Sequence, residues 1–354
     1  MEVSVQKTTI TQTVAREVAP GPLRTIMIDL LVVYRGTIHA KEHFDAEADS
    51  ERLYNAIKGL GTDEKTLIDV LTSTSNEQRQ AIIHKYKSMY GQNLEDDIVG
   101  DTSGNFCKVL VGLLRTPADF DAECVRSAIE GFGTNEDALI GVLCTSDNDE
   151  INAMKEAYKQ RYKRNLEKDV ESDTSGDFQR LLVSLLQAGR SESREIDFEQ
   201  ALKDARELYE AGEGRWGTDE SVFNKIMVIR SYEHLKVTFN EYAKISKRNI
   251  LEAIDSEMSG NLAKAMRTLA LFAMDRTKFY AEALYKSMKG LGTNDAVLIR
   301  VIIKTCENSL QEIKKVFLKE YKGTLASWIE GDTSGDYRTT LLALIGPEEV
   351  VEQS

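Results

Sequence analysis

An all-α fold made of four copies of one module is what this 354-residue chain predicts. Three observations carry that prediction. A GxGT element, lengthened by one residue in its third copy, occurs four times, and 40 residues after its last glycine an acidic residue opens an (Asp/Glu)-x-Ser-Gly element, pairing Gly61 with Asp101, Gly133 with Asp173, Gly217 with Glu257 and Gly292 with Asp332. Apolar residues within each copy recur at helical spacing. Only four prolines occur, and none interrupts that spacing.

The copies are spaced by 72, 84 and 75 residues, which leaves an N-terminal extension of about 42 and four modules of about 70. Self-similarity on this scale means an array or a pseudo-symmetric disc rather than unrelated domains. Each module alone is marginal in size, so the four are expected to pack together. Charged residues at 29% with few aromatics favour amphipathic helices over strands.

Residues 1–42 hold five basic and four acidic side chains and the Pro20-Gly21-Pro22 break, and are expected to be flexible in part or to dock on the core. In module one Thr62-Asp63-Glu64 opens a run with Leu67, Ile68, Val70 and Leu71, acids placed where a helix N-terminus favours them. Module two fills the same slots with Thr134-Asn135-Glu136 and Leu139, Ile140, Val142 and Leu143. Module one closes on Phe106, Val109, Leu110, Leu113 and Leu114, an i, i+3, i+4, i+7, i+8 stripe read as core. Stripes from Phe178, Leu262 and Tyr337 follow the same template. The polar stretch 188–198 has linker character and is where a division into two halves is expected.

Net charge of −13 argues against a nucleic-acid partner, whose phosphates need Lys and Arg, and also opposes direct contact with an anionic membrane. A phosphate-bearing partner must therefore be reached through a cation. Cys107, Cys124, Cys144 and Cys306 form no CxxC pair and read as reduced, packed thiols, which favours the cytosol. The apolar stretch 23–34 is too late for a secretory signal, contains Asp29 and is too short to span a bilayer.

The loop Ile57-Lys58-Gly59-Leu60-Gly61-Thr62 can turn several carbonyls to one side because glycine tolerates positive φ. Three carbonyls and one bidentate carboxylate supply about five oxygens, whereas Ca²⁺ takes about six to eight. The remainder would belong to water or to an incoming phosphate oxygen, which makes metal and membrane mutually dependent. The competing explanation is that the loops are turns and the acids helix N-caps. Other strings fail on context. Gly212-Glu213-Gly214-Arg215-Trp216-Gly217 matches GxGxxG but follows a helix-like segment. Asp147-Asn148-Asp149 lacks the glycine and closing glutamate of an EF-hand, and His39 and His43 lack a third ligand, so these histidines read as surface residues. No nucleophile and base pair stands out, so catalysis is not expected.

AlaIleLysGlyLeuGlyThrAspGlu at 56–64 with GlyAspThrSerGly at 100–104 closely resembles the annexins, and the resemblance extends over about residues 43–347 in four repeats. It implies five helices per repeat in a curved disc, with modules at 43–115, 116–188, 199–274 and 275–347 behind a variable tail of 1–42. It also implies Ca²⁺-dependent binding to phosphatidylserine-rich, anionic membranes. A calcium-independent helical scaffold for protein partners is the alternative.

Carried over by position, the resemblance implies metal ligands at Ile57, Gly59, Gly61 and Asp101 in module one, and at Ile129, Gly131, Gly133 and Asp173 in module two. Module three would use Gly212, Arg215, Gly217 and Glu257, and module four Met288, Gly290, Gly292 and Asp332. Thr62, Glu64, Glu136, Glu220 and Asp295 match secondary positions, although acids at a helix start explain themselves. Lys58, Arg215, Trp216 and Lys289 are candidates for lipid contact, with Trp216 either entering the headgroup layer or packing under its own helices. The tail is a candidate for binding a protein partner. One departure is visible: annexin repeats commonly carry an Arg thirteen residues after the second loop glycine, and only Arg230 keeps it here, with Thr74, Ser146 and Thr305 elsewhere.

Overall fold

The structure, a computed structural model, describes residues 25–27 and 35–348. The tail's other residues, including Ser4, Thr8, Thr9 and most of 23–34, lie outside them. Among the described residues each module contributes five helices. Module one has α1 Ala46–Ile57, α2 Glu64–Thr72, α3 Asn76–Tyr90, α4 Leu94–Asp101 and α5 Gly104–Leu114. Module two has α6 Pro117–Ile129, α7 Glu136–Leu143, α8 Asn148–Tyr162, α9 Leu166–Asp173 and α10 Gly176–Leu186. Module three has α11 Phe198–Ala211, α12 Glu220–Ile229, α13 Tyr232–Ile245, α14 Ile250–Glu257 and α15 Gly260–Met274. Module four has α16 Arg276–Met288, α17 Asp295–Thr305, α18 Leu310–Glu320, α19 Leu325–Asp332 and α20 Gly335–Ile345.

Local chemistry sets these boundaries. Asp63, Asn135, Asp219 and Asn294 cap the second helix of each module, each side chain accepting from a backbone N–H of the first turn. Ser75 with Gln78, and Asp147 with Glu150, form capping boxes at α3 and α8. Pro117 is the first residue of α6, where a missing N–H costs nothing.

The chain divides into two compact units. One holds residues 125–276 with the 25–27 segment; the other holds residues 35–124 and 277–348. The expected division at 188–198 is therefore corrected: module two pairs with three, and module one with four. The cause is where the apolar stripes go. In the first unit α10 packs on α12 and α15, and α15 on α7; in the second α20 packs on α2 and α5, and α5 on α17. The stripes behave as core, with Leu110, Leu113, Leu181, Leu182, Leu269 and Leu344 sealed from solvent.

The linker is polar because it is bonded, not because it is slack. Asn148 Nδ2 donates to the Arg190 carbonyl at 2.8 Å, Ser191 N to the Ile229 carbonyl at 2.7 Å, and Arg190 Nη1 to the Arg230 carbonyl at 2.7 Å. Strand β1, Thr25–Met27, pairs antiparallel with linker strand β2, Glu195–Asp197, in the register Ile26 to Ile196. A short piece of the tail thus docks on the linker. The segment from Arg35 docks separately on module four, where Thr37 N donates to the Cys306 carbonyl and Thr37 Oγ1 to the Leu344 carbonyl.

Arg230 shows what the uncommon slot does. Its guanidinium forks onto buried Asp204 at 2.6 and 2.9 Å, and His234 Nε2 and Gln200 Nε2 complete the carboxylate at 2.9 and 2.7 Å. Where Thr74, Ser146 and Thr305 replace it, each hydroxyl turns back to the helix carbonyl four residues earlier. Burial alone would push the Asp204 carboxyl up, but the bonds from His234, Arg230 and Gln200 outweigh it and hold it at about 2, against an ordinary 3.8. A depressed carboxyl stabilises the fold above its unfolded value, and that contribution, about 2 kcal/mol, is lost as pH falls from about 4 toward 2. Thermal unfolding measured across pH 5 to 2 should show this slope in the wild type and a shallower one in Asp204→Asn.

Candidate metal centres

The two distant elements of each module do meet. Each loop threonine hydroxyl donates to the carbonyl of the acid 39 residues on: Thr62 to Asp101 at 3.3 Å, Thr134 to Asp173 at 3.0 Å, Thr218 to Glu257 at 3.0 Å and Thr293 to Asp332 at 3.1 Å. In modules two, three and four the same hydroxyl lies 2.9, 3.2 and 2.5 Å from the carboxylate itself. The fixed sequence offset is thus a bond in space.

Each loop is closed at its base by one backbone bond: Asp63 N to Ala56 O, Asn135 N to Ala128 O, Asp219 N to Ala211 O and Asn294 N to Ser287 O, all 2.7 or 2.8 Å. Within that closure Gly59 and Gly61 take φ of 117° and 87°, values at which a side chain would be strained. Gly131, Gly133, Gly290 and Gly292 repeat the pair, while module three keeps only Gly217 and spans one residue more. Hydrogen bonds from Thr66 and Ser221 hold the capping Asp63 and Asp219 carboxyls below the usual range.

The carbonyls named above as candidate ligands are open. Among the described residues those of Gly59, Gly61, Gly131, Gly133, Arg215, Gly217, Gly290 and Gly292 accept no hydrogen bond, and neither do those of Ile57, Ile129 and Met288 at the preceding helix ends. Gly212 differs, accepting from Arg215 N at 3.1 Å. No group of three His, Cys, Asp or Glu side chains is positioned for a metal among the described residues, so main-chain oxygens would dominate any coordination shell here.

The acids are not N-caps. Asp101, Asp173, Glu257 and Asp332 are the last residues of α4, α9, α14 and α19, and the following helices are capped at Ser103, Ser175, Ser259 and Ser334 without a side-chain bond. A carboxylate at the negative end of a helix dipole is disfavoured by about 0.3–1 kcal/mol. Four such placements, each beside open carbonyls, make a donor set suited to a hard cation such as Ca²⁺. Glu64, Glu136, Glu220 and Asp295 lie at the first position of α2, α7, α12 and α17, where the helix favours them without a metal.

Trp216, singled out in the sequence, is one of a set of four, and its counterparts at the other loop apices were missed. Leu60, Phe132, Trp216 and Leu291, the residues before the last glycine, are 109%, 110%, 101% and 108% exposed. The other exposed large apolar residues, such as Val99 and Leu318, reach about half that. Trp216 is therefore not packed under its helices. The signal was present, since the residue before the last loop glycine is apolar in all four copies, but a single apolar residue between glycines, as in modules one, two and four, looks like turn filler. Lys58 and Lys289 lie beside the first and fourth tips, each ammonium 5.2 or 5.1 Å over a tyrosine ring, and Arg215 reaches toward Asp219 at 3.7 Å. Glu130 replaces the lysine in module two.

Comparison with known proteins agrees with this arrangement. The annexin family model matches residues 48–113, 120–185, 203–269 and 279–344. Annexin A13 of Mus musculus is 46% identical over 315 residues, covering 88% of this chain and 99% of its own. Among solved structures, annexin III superposes with a TM-score of 0.88 at 41% identity, over 91% of this chain and all of its own. A calcium-bound annexin, (Sm)1, gives 0.79 at 37% identity over 89% of this chain and 93% of its own.

Proposed function

This chain belongs to the annexin family, whose members bind phospholipid in a calcium-dependent way, and from that premise we propose that it docks without catalysis on anionic, phosphatidylserine-type membranes through its four loop–acid pairs. The observation that carries the proposal is the fourfold apex: open carbonyls, one helix-terminal carboxylate and a bare apolar side chain held together by a threonine.

Ile57, Gly59, Gly61 and Asp101, and their counterparts in the other modules, would hold the Ca²⁺, which when bound supplies positive charge and a vacant position for a phosphate oxygen. The chain's own part is threefold. The threonine ties the acidic residue to the loop, the glycines free the loop carbonyls from the helix, and the apex residue is held clear of the helices so that it enters the headgroup layer as the phosphate is reached. At net −13 the tips alone are insufficient, because an unshielded acidic surface is repelled by anionic lipid. The lysines at the first and fourth loops add local attraction, and Glu130 weakens it at the second. Four cysteines with no disulfide among the described residues support a reducing compartment such as the cytosol. No helix among the described residues is long and apolar enough to cross a membrane.

Co-sedimentation with phosphatidylserine and phosphatidylcholine vesicles, in Ca²⁺ and in chelator, tests the proposal. Pelleting is expected only with the anionic vesicles and only with Ca²⁺; binding in chelator would return the scaffold alternative. In the same assay the variant Leu60→Ser, Phe132→Ser, Trp216→Ser, Leu291→Ser should lose at least about a hundredfold in membrane affinity, since each buried tip is worth about 1.5–3 kcal/mol. Its thermal stability should be unchanged because the tips touch nothing.

A further inference from the structure

An arginine just past the last helix of modules one and two is held in the same way in both. Asn76 Nδ2 donates to the Arg115 carbonyl at 2.6 Å, and Asn148 Nδ2 to the Arg190 carbonyl at 2.8 Å; the asparagines are the first residues of α3 and α8. The two guanidiniums meet opposite surroundings. Arg115 pairs with two carboxylates, Glu95 at 2.9 Å and Glu123 at 3.1 Å. Arg190 pairs with none among the described residues: its Nη1 donates to the Arg230 carbonyl at 2.7 Å, and its Nη2 is sealed from solvent without a hydrogen-bond partner.

The sequence shows where the missing acid went. Glu51, Glu123 and Glu282 each stand five residues before the residue that closes their module's loop, Ala56, Ala128 or Ser287. Module three alone has an arginine there, Arg206, five residues before Ala211. The junction that Arg190 occupies has therefore lost the carboxylate that Arg115 finds in Glu123.

A second unanswered cation stands beside it. Arg276, the first residue of α16, lies 4.7 Å from the ring centre of Tyr232, and Arg190 lies 4.3 Å from that same centre. Arg276 is also 4.9 Å from the Phe272 ring, and the two buried rings pack edge-on at 5.2 Å. Arg276 is exposed and, among the described residues, has no carboxylate partner either. Burial pulls the Arg190 guanidinium below the usual arginine range; Tyr232 opposes this, and the Arg276 charge adds to it. Other sheltered arginines are answered within the chain, Arg79 by Glu307 and Arg230 by Asp204. Two guanidiniums on one aromatic platform without an acid, in a chain of net charge −13, leave a place for a negative group from outside.

We propose that Arg190 and Arg276 bind a phosphomonoester dianion. Charge selects it. A phosphomonoester brings about −1.5 to −2 near neutral pH, enough for both guanidiniums, whereas a carboxylate or a phosphodiester brings a single charge and leaves one cation unanswered. Its three terminal oxygens accept from both guanidinium forks at once, as Glu95 and Glu123 together accept from Arg115, and Arg276, the exposed member, moves off the ring to admit it. The site lies away from the calcium loops. α12 and α15 both start beside the third loop–acid pair and run toward Tyr232 and Phe272, and the ten residues of α12 alone put about 15 Å between them. The ligand therefore comes from solution, as a free phosphate ester or as a phosphorylated side chain of another protein, and the proposal stands apart from the membrane function.

The test uses the full chain in chelator and without lipid, so it is blind to the calcium loops. Binding of O-phosphoserine, inorganic phosphate, dimethyl phosphate and serine is followed by calorimetric titration and by thermal melts at constant ionic strength. Phosphoserine and inorganic phosphate should bind saturably and raise the melting temperature by about 3 °C or more at saturation; dimethyl phosphate, a diester monoanion, and serine should not. Arg276→Gln, at an exposed position, should weaken phosphoserine binding by about tenfold to a hundredfold, Arg276→Lys by less, and Arg180→Gln, which removes a distant surface cation, not at all. Failure of the wild type to bind either monoester overturns the proposal. So does dimethyl phosphate binding equally well, or Arg276→Gln binding phosphoserine as the wild type does. A short phosphoserine peptide that binds as tightly as free phosphoserine would assign the phosphate to a protein partner; its rejection while inorganic phosphate binds would assign a free anion.

Discussion

Replacing Asp101, Asp173, Glu257 and Asp332 together by Ala should abolish Ca²⁺-dependent vesicle binding while leaving helicity intact and stability equal or slightly raised. The reason is positional. Each acid ends a helix at its unfavourable pole, and none caps the helix that follows. Alanine removes the end charge and has the better helix propensity. The losses are the threonine-to-carboxylate bond in modules two, three and four and the bond from Ser256 Oγ to Glu257; the threonine-to-carbonyl bond survives because it uses the main chain. Circular dichroism and thermal melts would therefore look like wild type while pelleting disappears. Retained binding would remove these acids from the metal centres, and a collapse of helicity would make them structural after all.

The largest stability effect is expected at Arg79, in the unit formed by modules one and four. This side chain is 2% exposed, and its guanidinium is shared among three carbonyls and one acid. Nε donates to the Leu113 carbonyl at 2.8 Å, Nη1 to those of Leu71 and Thr74, and Nη2 to Glu307. Glu307 in turn accepts from Asn76 N at 2.9 Å, so α3, α5 and the turn after α17 meet on one cation. Arg79→Ala should destabilise that unit by about 3–5 kcal/mol, the cost of leaving buried partners without their charge. Arg79→Met, which keeps the stem packed, should recover part of the packing but none of the bonds. Denaturant unfolding of both variants measures the difference, and a loss under about 1 kcal/mol for Ala would mean that water replaces the guanidinium.

Much of this architecture was legible because it is repetitive. The offset between Gly61 and Asp101 could be read without a structure, since only a contact in space explains its return in every copy. The apolar stripes were equally plain, because period 3.6 survives substitution of one aliphatic residue by another. The pairing of modules was not: the bonds of Asn148, Arg190 and Ser191 that anchor 188–198 are made by the same polar residues that would furnish a slack linker. The acids were ambiguous for a similar reason. Asp-x-Ser-Gly fits a cap at either residue, and only the backbone shows that the serine starts the next helix while the acid ends the last. Leu60, Phe132 and Leu291 escaped because local sequence does not distinguish an apolar residue that is covered from one that is presented.

The four presented tips have a colloidal side. A chain that leaves four large apolar groups wholly in water invites its copies to associate, and the force opposing this is the mutual repulsion of molecules carrying −13. The acids that lie next to the tips belong to that repulsive charge. Cation binding there would lower the barrier between copies at the same place and moment as it lowers the barrier to a bilayer, so on the proposed function stickiness toward lipid and stickiness toward itself would be one property of each tip, separated only by which partner arrives first.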